Sequence, residues 1–138
     1  MLQALKEAEI ASEEGEVPIG AIIVLEDMIV ARAYNQVELL QDPTAHAELL
    51  AITAACSHVG SKFLDQCTMY VTVEPCVMCA GALRWTRIGR LVYGASDDKQ
   101  GFMHFGKELL HPRTLLAYGV MIDKCSLHMK SFFKVKRS

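Results

Sequence analysis

The sequence predicts an α/β fold: a mixed sheet covered by helices on both faces. Three observations carry that expectation. Residues 18–25 and 28–34 are two apolar, β-branched runs parted only by Glu26-Asp27, the pattern of an antiparallel hairpin. Stretches with helical spacing then alternate with further strand-like runs. Finally, residues 70–82 (YVTVEPCVMCAGA) pass from strand to helix across Pro75, which cannot donate to a ladder and suits an early helix position. At 138 residues and 51% apolar content, the chain is sized for one domain, residues 1–138, whose core needs no disulfides.

Each element follows in order. Residues 1–14 space Leu2, Leu5, Ala8, Ile10 and Ala11 as on an amphipathic helix, and Gly15 ends it. The hairpin comes next, with Asn35 at its far end. Residues 36–45 read as a loop containing Asp42-Pro43; Thr44 is then placed to cap a helix over residues 45–56, closed by Gly60. Residues 67–73 form a third strand and residues 76–86 a helix that opens with two cysteines. Leu91-Val92-Tyr93 is a short fourth strand, followed by a polar loop over 94–101. A short helix is expected over 107–110, a fifth strand over 119–122, and a last helix capped by Asp123 and running to about Lys134.

Composition narrows the function. No apolar run approaches the ~18 residues of a membrane span, and no charged-then-apolar leader opens the chain, so no membrane partner is expected. The formal net charge of -2 does not advertise a nucleic-acid partner. The charge is uneven, however. Residues 1–20 set Lys6 against five glutamates, while residues 121–138 set Lys124, Lys130, Lys134, Lys136 and Arg137 against Asp123. Cys56, Cys67 and Cys125 lie in apolar periodic segments and read as reduced core thiols, which fits a reducing, cytoplasmic compartment.

The chemistry sits on Cys76, Cys79, His46 and Glu48. Cysteines three apart lie on one face of a helix, and a helix N-terminus favours the thiolate. Two thiolates and one imidazole make three ligands, the number that a catalytic zinc uses while keeping one position open. On its own the CxxC would suit a redox pair or half of a zinc knuckle, but a knuckle needs a fourth ligand at close spacing and none is present. Cys67 starts the strand that leads to the motif, a strand's length away. His58, His104, His111 and His128 show no ligand spacing and read as surface or hydrogen-bonded histidines. Glu48 stands two residues after His46, about 200° round an ideal helix. Both side chains can reach one metal only if it lies over the helix N-terminus, where Glu48 is then placed to carry protons.

His46-Ala47-Glu48 with Pro75-Cys76-Val77-Met78-Cys79 resembles the H-x-E…P-C-x-x-C arrangement of zinc deaminases that act on bases. The likeness extends over nearly the whole chain. It runs through Glu16 to Ala21 (EVPIGA), Tyr34-Asn35, residues 42–48 (DPTAHAE), residues 73–82 (VEPCVMCAGA), Arg87-Ile88-Gly89-Arg90 and the aromatic-basic tail from Phe132. The family it most resembles is the bacterial tRNA-specific adenosine deaminases. The resemblance implies a three-layer α/β/α cytidine-deaminase-like fold with a five-stranded mixed sheet, a homodimer, and hydrolytic conversion of the wobble adenosine of a tRNA anticodon to inosine. It implies one zinc ion per subunit on His46, Cys76 and Cys79, with proton shuttling by Glu48. It further implies substrate contacts from Asn35, Ala47, Asp97, Phe132 and Phe133, with the anticodon loop of tRNA as partner. Asp97 reads equally well as a solvated loop aspartate, and at least one of the two phenylalanines is expected in the core. Two rivals stand beside this reading. One is a free-base or nucleoside deaminase acting on guanine or cytosine, since those enzymes share the HAE and PCxxC elements. The other is a non-catalytic nucleic-acid module with a structural zinc, which would have no need of Glu48.

Overall fold

The computed structural model describes residues 1–137, apart from the side chain of Arg137, so the end of the expected basic tail lies outside the described residues. Helix α1 (Leu2–Glu13) leads into strands β1 (Gly20–Leu25) and β2 (Met28–Tyr34). Glu26 and Asp27 turn this hairpin with φ of 51° and 63°, the paired left-handed conformation whose twist matches the flanking strands. There follow α2 (Val37–Leu40), α3 (Ala47–Val59), β3 (Thr68–Val73), α4 (Val77–Thr86) and β4 (Arg90–Ala95). Two 3-10 turns (Phe102–His104 and Lys107–Leu109), β5 (Leu115–Tyr118) and α5 (Ile122–Arg137) complete the fold.

The five strands form one sheet in the order β2-β1-β3-β4-β5. Strand β1 runs antiparallel to β2 and β3, whereas β3, β4 and β5 run parallel. Helices α1 and α5 pack on one another and on the sheet, and α3 and α4 likewise pair elsewhere on it. The result is the expected three-layer α/β/α arrangement. The main core joins alternate strand positions (Ala21, Ile23, Met69, Val71, Leu91, Tyr93) to Ala51, Ala55, Ala80 and Leu83 of α3 and α4. A smaller cluster of Leu5, Ala95 and Cys125 ties α1 and α5 to β4.

Strand polarity decides where a site can form. The end of β2, the start of β1 and the carboxyl ends of β3 and β4 all lie at one edge of the sheet. In α/β sheets the loops beyond the carboxyl ends of parallel strands form the ligand-binding crevice. Here those loops carry Cys76 after β3 and Asp97 after β4, with Asn35 after β2 beside them.

Four sequence expectations need correction, the first being that Asp123 caps the last helix: α5 starts at Ile122 and holds Asp123 in its first turn. The fifth strand lies at Leu115–Tyr118, not over 119–122. Gly119 and Met121 hold positive φ (80° and 54°) and turn the chain instead. The strand escaped notice because it is an edge strand with Leu115 and Tyr118 exposed, so it shows no inside-outside alternation. Thr44 does not cap α3. Its N–H and hydroxyl both donate to the Asp42 carboxylate, at 2.8 and 2.7 Å, and His46 takes the N-cap position. The expected loop over 36–45 also contains the one-turn helix α2.

Helix α5 reaches the sheet only because β4 offers a glycine. A Cβ on Gly94 would stand 2.8 Å from the Thr72 carbonyl oxygen and 2.9 Å from Cys125 Cβ, and would strike the Cys125 sulfur. Gly94→Ala should therefore lower stability by about 1–3 kcal/mol, the range for overpacked interiors, as measured by thermal denaturation.

Candidate active site

Two helices begin at the same point. His46 is the N-cap of α3 and Cys76 the N-cap of α4, both with extended backbone, and neither side chain caps its own helix. Their side chains are thereby free to meet. His46 Nδ1 lies 3.6 Å from Cys76 Sγ and 3.5 Å from Cys79 Sγ, and the three donor atoms are all within 4.8 Å of one another. In a tetrahedral zinc site, a nitrogen at about 2.0–2.1 Å and a sulfur at about 2.3 Å stand roughly 3.6 Å apart. The donor set and its spacing fit zinc. The imidazole is braced by a hydrogen bond to the Pro43 backbone, in the turn that Asp42 fixes through Thr44. Such outer contacts orient metal-binding imidazoles.

The protons in this cluster are strongly redistributed. The Cys76 thiol falls to about 4, chiefly through the hydrogen bond it shares with Cys79, helped by His46. Cys79 rises correspondingly, through the same bond and through burial. His46 is raised, first by its bond to Cys76. Glu48 is 3% exposed, and burial lifts its carboxyl from 4.5 to about 7, against the lowering pull of its own backbone N–H and of His46. A carboxyl poised near neutrality beside a metal-ligand set can both accept and return a proton.

These groups open into a cleft of about 540 Å³. His46, Glu48 and Cys76 form its floor, while Asn35, Asp97, Phe132 and Phe133 all border it. A larger hollow of about 840 Å³ between Phe63, Arg87 and His111 contains none of the ligating group. Asn35 is 5% exposed and anchored by its N–H to the Ile19 carbonyl. Asp97 accepts the N–H groups of Lys99 and Gln100 through Oδ1. Phe132 and Phe133 stack edge-to-face at 5.3 Å, with Lys136 Nζ 5.6 Å from the Phe132 ring centroid. Neither ring belongs to a core cluster, contrary to the expectation that one would; both sit on α5, whose core contact is made by Cys125 further back. Ala47 departs from expectation as well. It is fully buried in the main core and does not line the cleft, so any contact to a ligand would come from its backbone.

Two buried carboxylates in the cleft wall escaped the sequence reading. Glu16 accepts the N–H groups of Glu38 and Leu39 at 3.0 and 2.7 Å, holding the start of α2. Glu74 accepts those of Asp97 and Met103 at 3.1 and 3.0 Å. The available signal was their position: Glu16 stands just before the apolar run that opens at Pro18, and Glu74 between the apolar run of β3 and Pro75, where a buried polar group has to find donors.

The Glu48 shift has a definite sign. Its folded value near 7 lies above the ordinary 4.5, so its contribution to stability is full below about pH 4.5 and is lost as pH rises through 7. In metal-depleted protein, Glu48→Gln should remove that loss, on the order of 3 kcal/mol at most. Denaturant titrations near pH 5 and pH 8 measure it, and equal pH slopes in the two proteins would contradict the buried carboxyl.

The profile of the MafB19-like deaminase family matches residues 1–135. The tRNA-specific adenosine deaminase of Aquifex aeolicus is 44% identical over 140 residues, covering 98% of this chain and 92% of its own. A solved structure from work on A-to-I editing by tRNA:A34 deaminases at the wobble position of transfer RNA superposes with a TM-score of 0.86. It is 39% identical, over 93% of this chain and 96% of that one. Guanine deaminase from Bacillus subtilis is 40% identical with a TM-score of 0.66, but covers 69% of this chain and 61% of its own. Fold, ligand geometry and full-length likeness agree: the chain belongs to the tRNA-specific adenosine deaminases.

Proposed function

We propose that the protein hydrolyses the wobble adenosine of a tRNA anticodon to inosine, with one zinc ion per subunit on His46, Cys76 and Cys79. The observation that carries this reading is the meeting of that ligand set with a buried, near-neutral Glu48 in a cleft that Phe132, Phe133 and Lys136 of α5 also line. Zinc, when bound, supplies a water acidified to a pKa of about 7. Glu48 accepts a proton from the attacking water and delivers it to a ring nitrogen of adenine as oxygen adds at C6. It then takes the second proton from the hydroxyl now on C6 and gives it to the departing amine as the C6–N bond breaks, so that adenosine and water give inosine and ammonia. Phe133, 42% exposed, offers a ring face to an unstacked base, and Lys136 offers a charge to phosphate. Asn35 and the free oxygen of Asp97 stand where polar groups of the nucleotide would be held.

We place the reaction in the cytoplasm and the enzyme in a homodimer. No helix among the described residues is long and apolar enough to cross a membrane. On α4, Ala80 and Leu83 are spent on the core, but Val77, Met78 and Trp85 are exposed, Trp85 at 82%. An exposed aromatic anchor among apolar neighbours is a common interface centre.

The first test compares inosine formation in an anticodon stem-loop with ammonia release from free adenosine, guanine and cytosine. Turnover of the stem-loop is expected, with little or none on the free compounds and with rates falling as salt rises. Glu48→Ala should keep its zinc and lose 10²–10⁴-fold or more in turnover, roughly the contribution of a positioned proton carrier. Rapid turnover of a free base beside an unmodified stem-loop would transfer the assignment to the guanine or cytosine deaminases. The second test is sedimentation at micromolar concentration. A dimer mass is expected for the wild type and a monomer for Trp85→Lys, with zinc content equal; a monomeric wild type would remove the dimer.

A further inference from the structure

Glu74 stands at the junction of β3 with the zinc-ligand turn, 7% exposed, and neither ligates nor shuttles protons. Its two oxygens face the ends of one loop. Oε1 accepts the Asp97 N–H and Oε2 the Met103 N–H. The backbone repeats the connection. Phe102 N–H donates to the Pro75 carbonyl at 3.0 Å, and Cys76 and Gly101 form an isolated antiparallel bridge. Within the loop, Gly101 N–H closes back onto the Asp97 carbonyl at 3.0 Å, and His104 Nε2 bonds the Asp98 carbonyl. Gly101 has an ordinary backbone conformation, φ −65° and ψ 143°, so glycine is not there for its freedom. It is there for space, because a Cβ would collide with the Glu74 carboxylate.

We infer that Glu74 is a positioning residue for substrate binding, a clamp that closes the loop between Asp97 and Met103 over the Pro75-Cys76 turn and thereby sets where the Asp97 carboxylate stands in the cleft. The inference deepens the function proposed above and rests on it, since Asp97 is there taken to face the nucleotide. The chemistry requires a carboxylate. A carboxylate presents a separate acceptor oxygen to the N–H at each end of the loop. An amide would keep one bond and turn its own N–H₂ toward the other donor. One wall of the cleft is in this way registered directly to the metal-binding turn.

The test uses zinc-loaded protein and four variants: Glu74→Gln, Asp97→Ala, the double variant and Gly101→Ala. Hydrogen exchange at the Asp97 and Met103 amides, without substrate, should accelerate about tenfold or more in Glu74→Gln while zinc content stays equal. KM for the stem-loop should rise about three- to tenfold with kcat within about twofold. The same KM rise should be absent when Glu74→Gln is added to Asp97→Ala, because the effect runs through Asp97. Gly101→Ala presses on the clamp from the other side and should reproduce the exchange and KM changes, which keeps the test intact should Glu74→Gln not fold. Unchanged exchange, an undiminished KM effect in the Asp97→Ala background, or loss of zinc would each overturn the clamp. If wild-type protein leaves the stem-loop unmodified, the substrate reading fails, and exchange at residues 97 and 103 still decides the clamp by itself.

Discussion

The structure depends on one constraint: an imidazole from one helix start must come within 3.5–3.6 Å of two thiols from another. Two devices meet it. Strand β3 ends at Glu74-Pro75, so that Cys76 becomes the cap of α4 and Cys79 follows one turn in. On the other side, Asp42 locks Thr44 into a tight turn, and the chain enters α3 with His46 still extended. A side-chain cap on either helix would stabilise that helix, typically by about 1 kcal/mol. Here the cap positions are given to two members of the cluster that could hold a metal.

Three buried carboxylates surround this point, and their partners divide them into two kinds. Glu16 and Glu74 each receive two main-chain N–H groups from a neighbouring loop. Each carboxylate thereby fixes the loop that supplies its donors. Glu48 has one such bond, from its own residue, and burial prevails over it, leaving the group near 7. The same side chain in the same cleft is a brace where donors are plentiful, and where they are not it is left near neutrality, as the proton carrier proposed above requires. This distinction rests on hydrogen-bond donors and burial together, and it agrees with the roles proposed for all three.

How much of this the sequence revealed follows from the range of the interactions involved. The hairpin, β3, the CxxC helix and the ligand triad were legible because each is written locally, in alternation, in a proline stop or in cysteine spacing. The position of Glu48 was legible through geometry: with His46 at the cap, the pair reaches one volume despite the two-residue offset. Strand β5 was not, because its exposed Leu115 and Tyr118 carry no periodicity and its pairing to β4 is long-range. Thr44 was misread because a nearer acceptor, Asp42, competed for its donors. Ala47 came from the family likeness rather than from any property of alanine, and its burial leaves only backbone to offer. Glu16 and Glu74 were invisible as braces because their partners lie more than twenty residues away.

The His-Cys-Cys cluster and the aromatic side of the cleft are built on different parts of the fold. The ligand turn and Glu48 sit on buried helix starts packed into the main core. The aromatic-basic wall sits on α5, which meets the sheet through a small cluster of Leu5, Ala95 and Cys125 and through the close approach at Gly94. Sequence can therefore change on the outer face of α5 without strain reaching the ligands. The reverse does not hold for the loop at Asp97, whose ends are bonded to Glu74 and whose middle is paired to Cys76. Change in the cleft is thus least constrained on α5 and most constrained in the Asp97 loop, because any shift of that loop also strains the turn that presents Cys76.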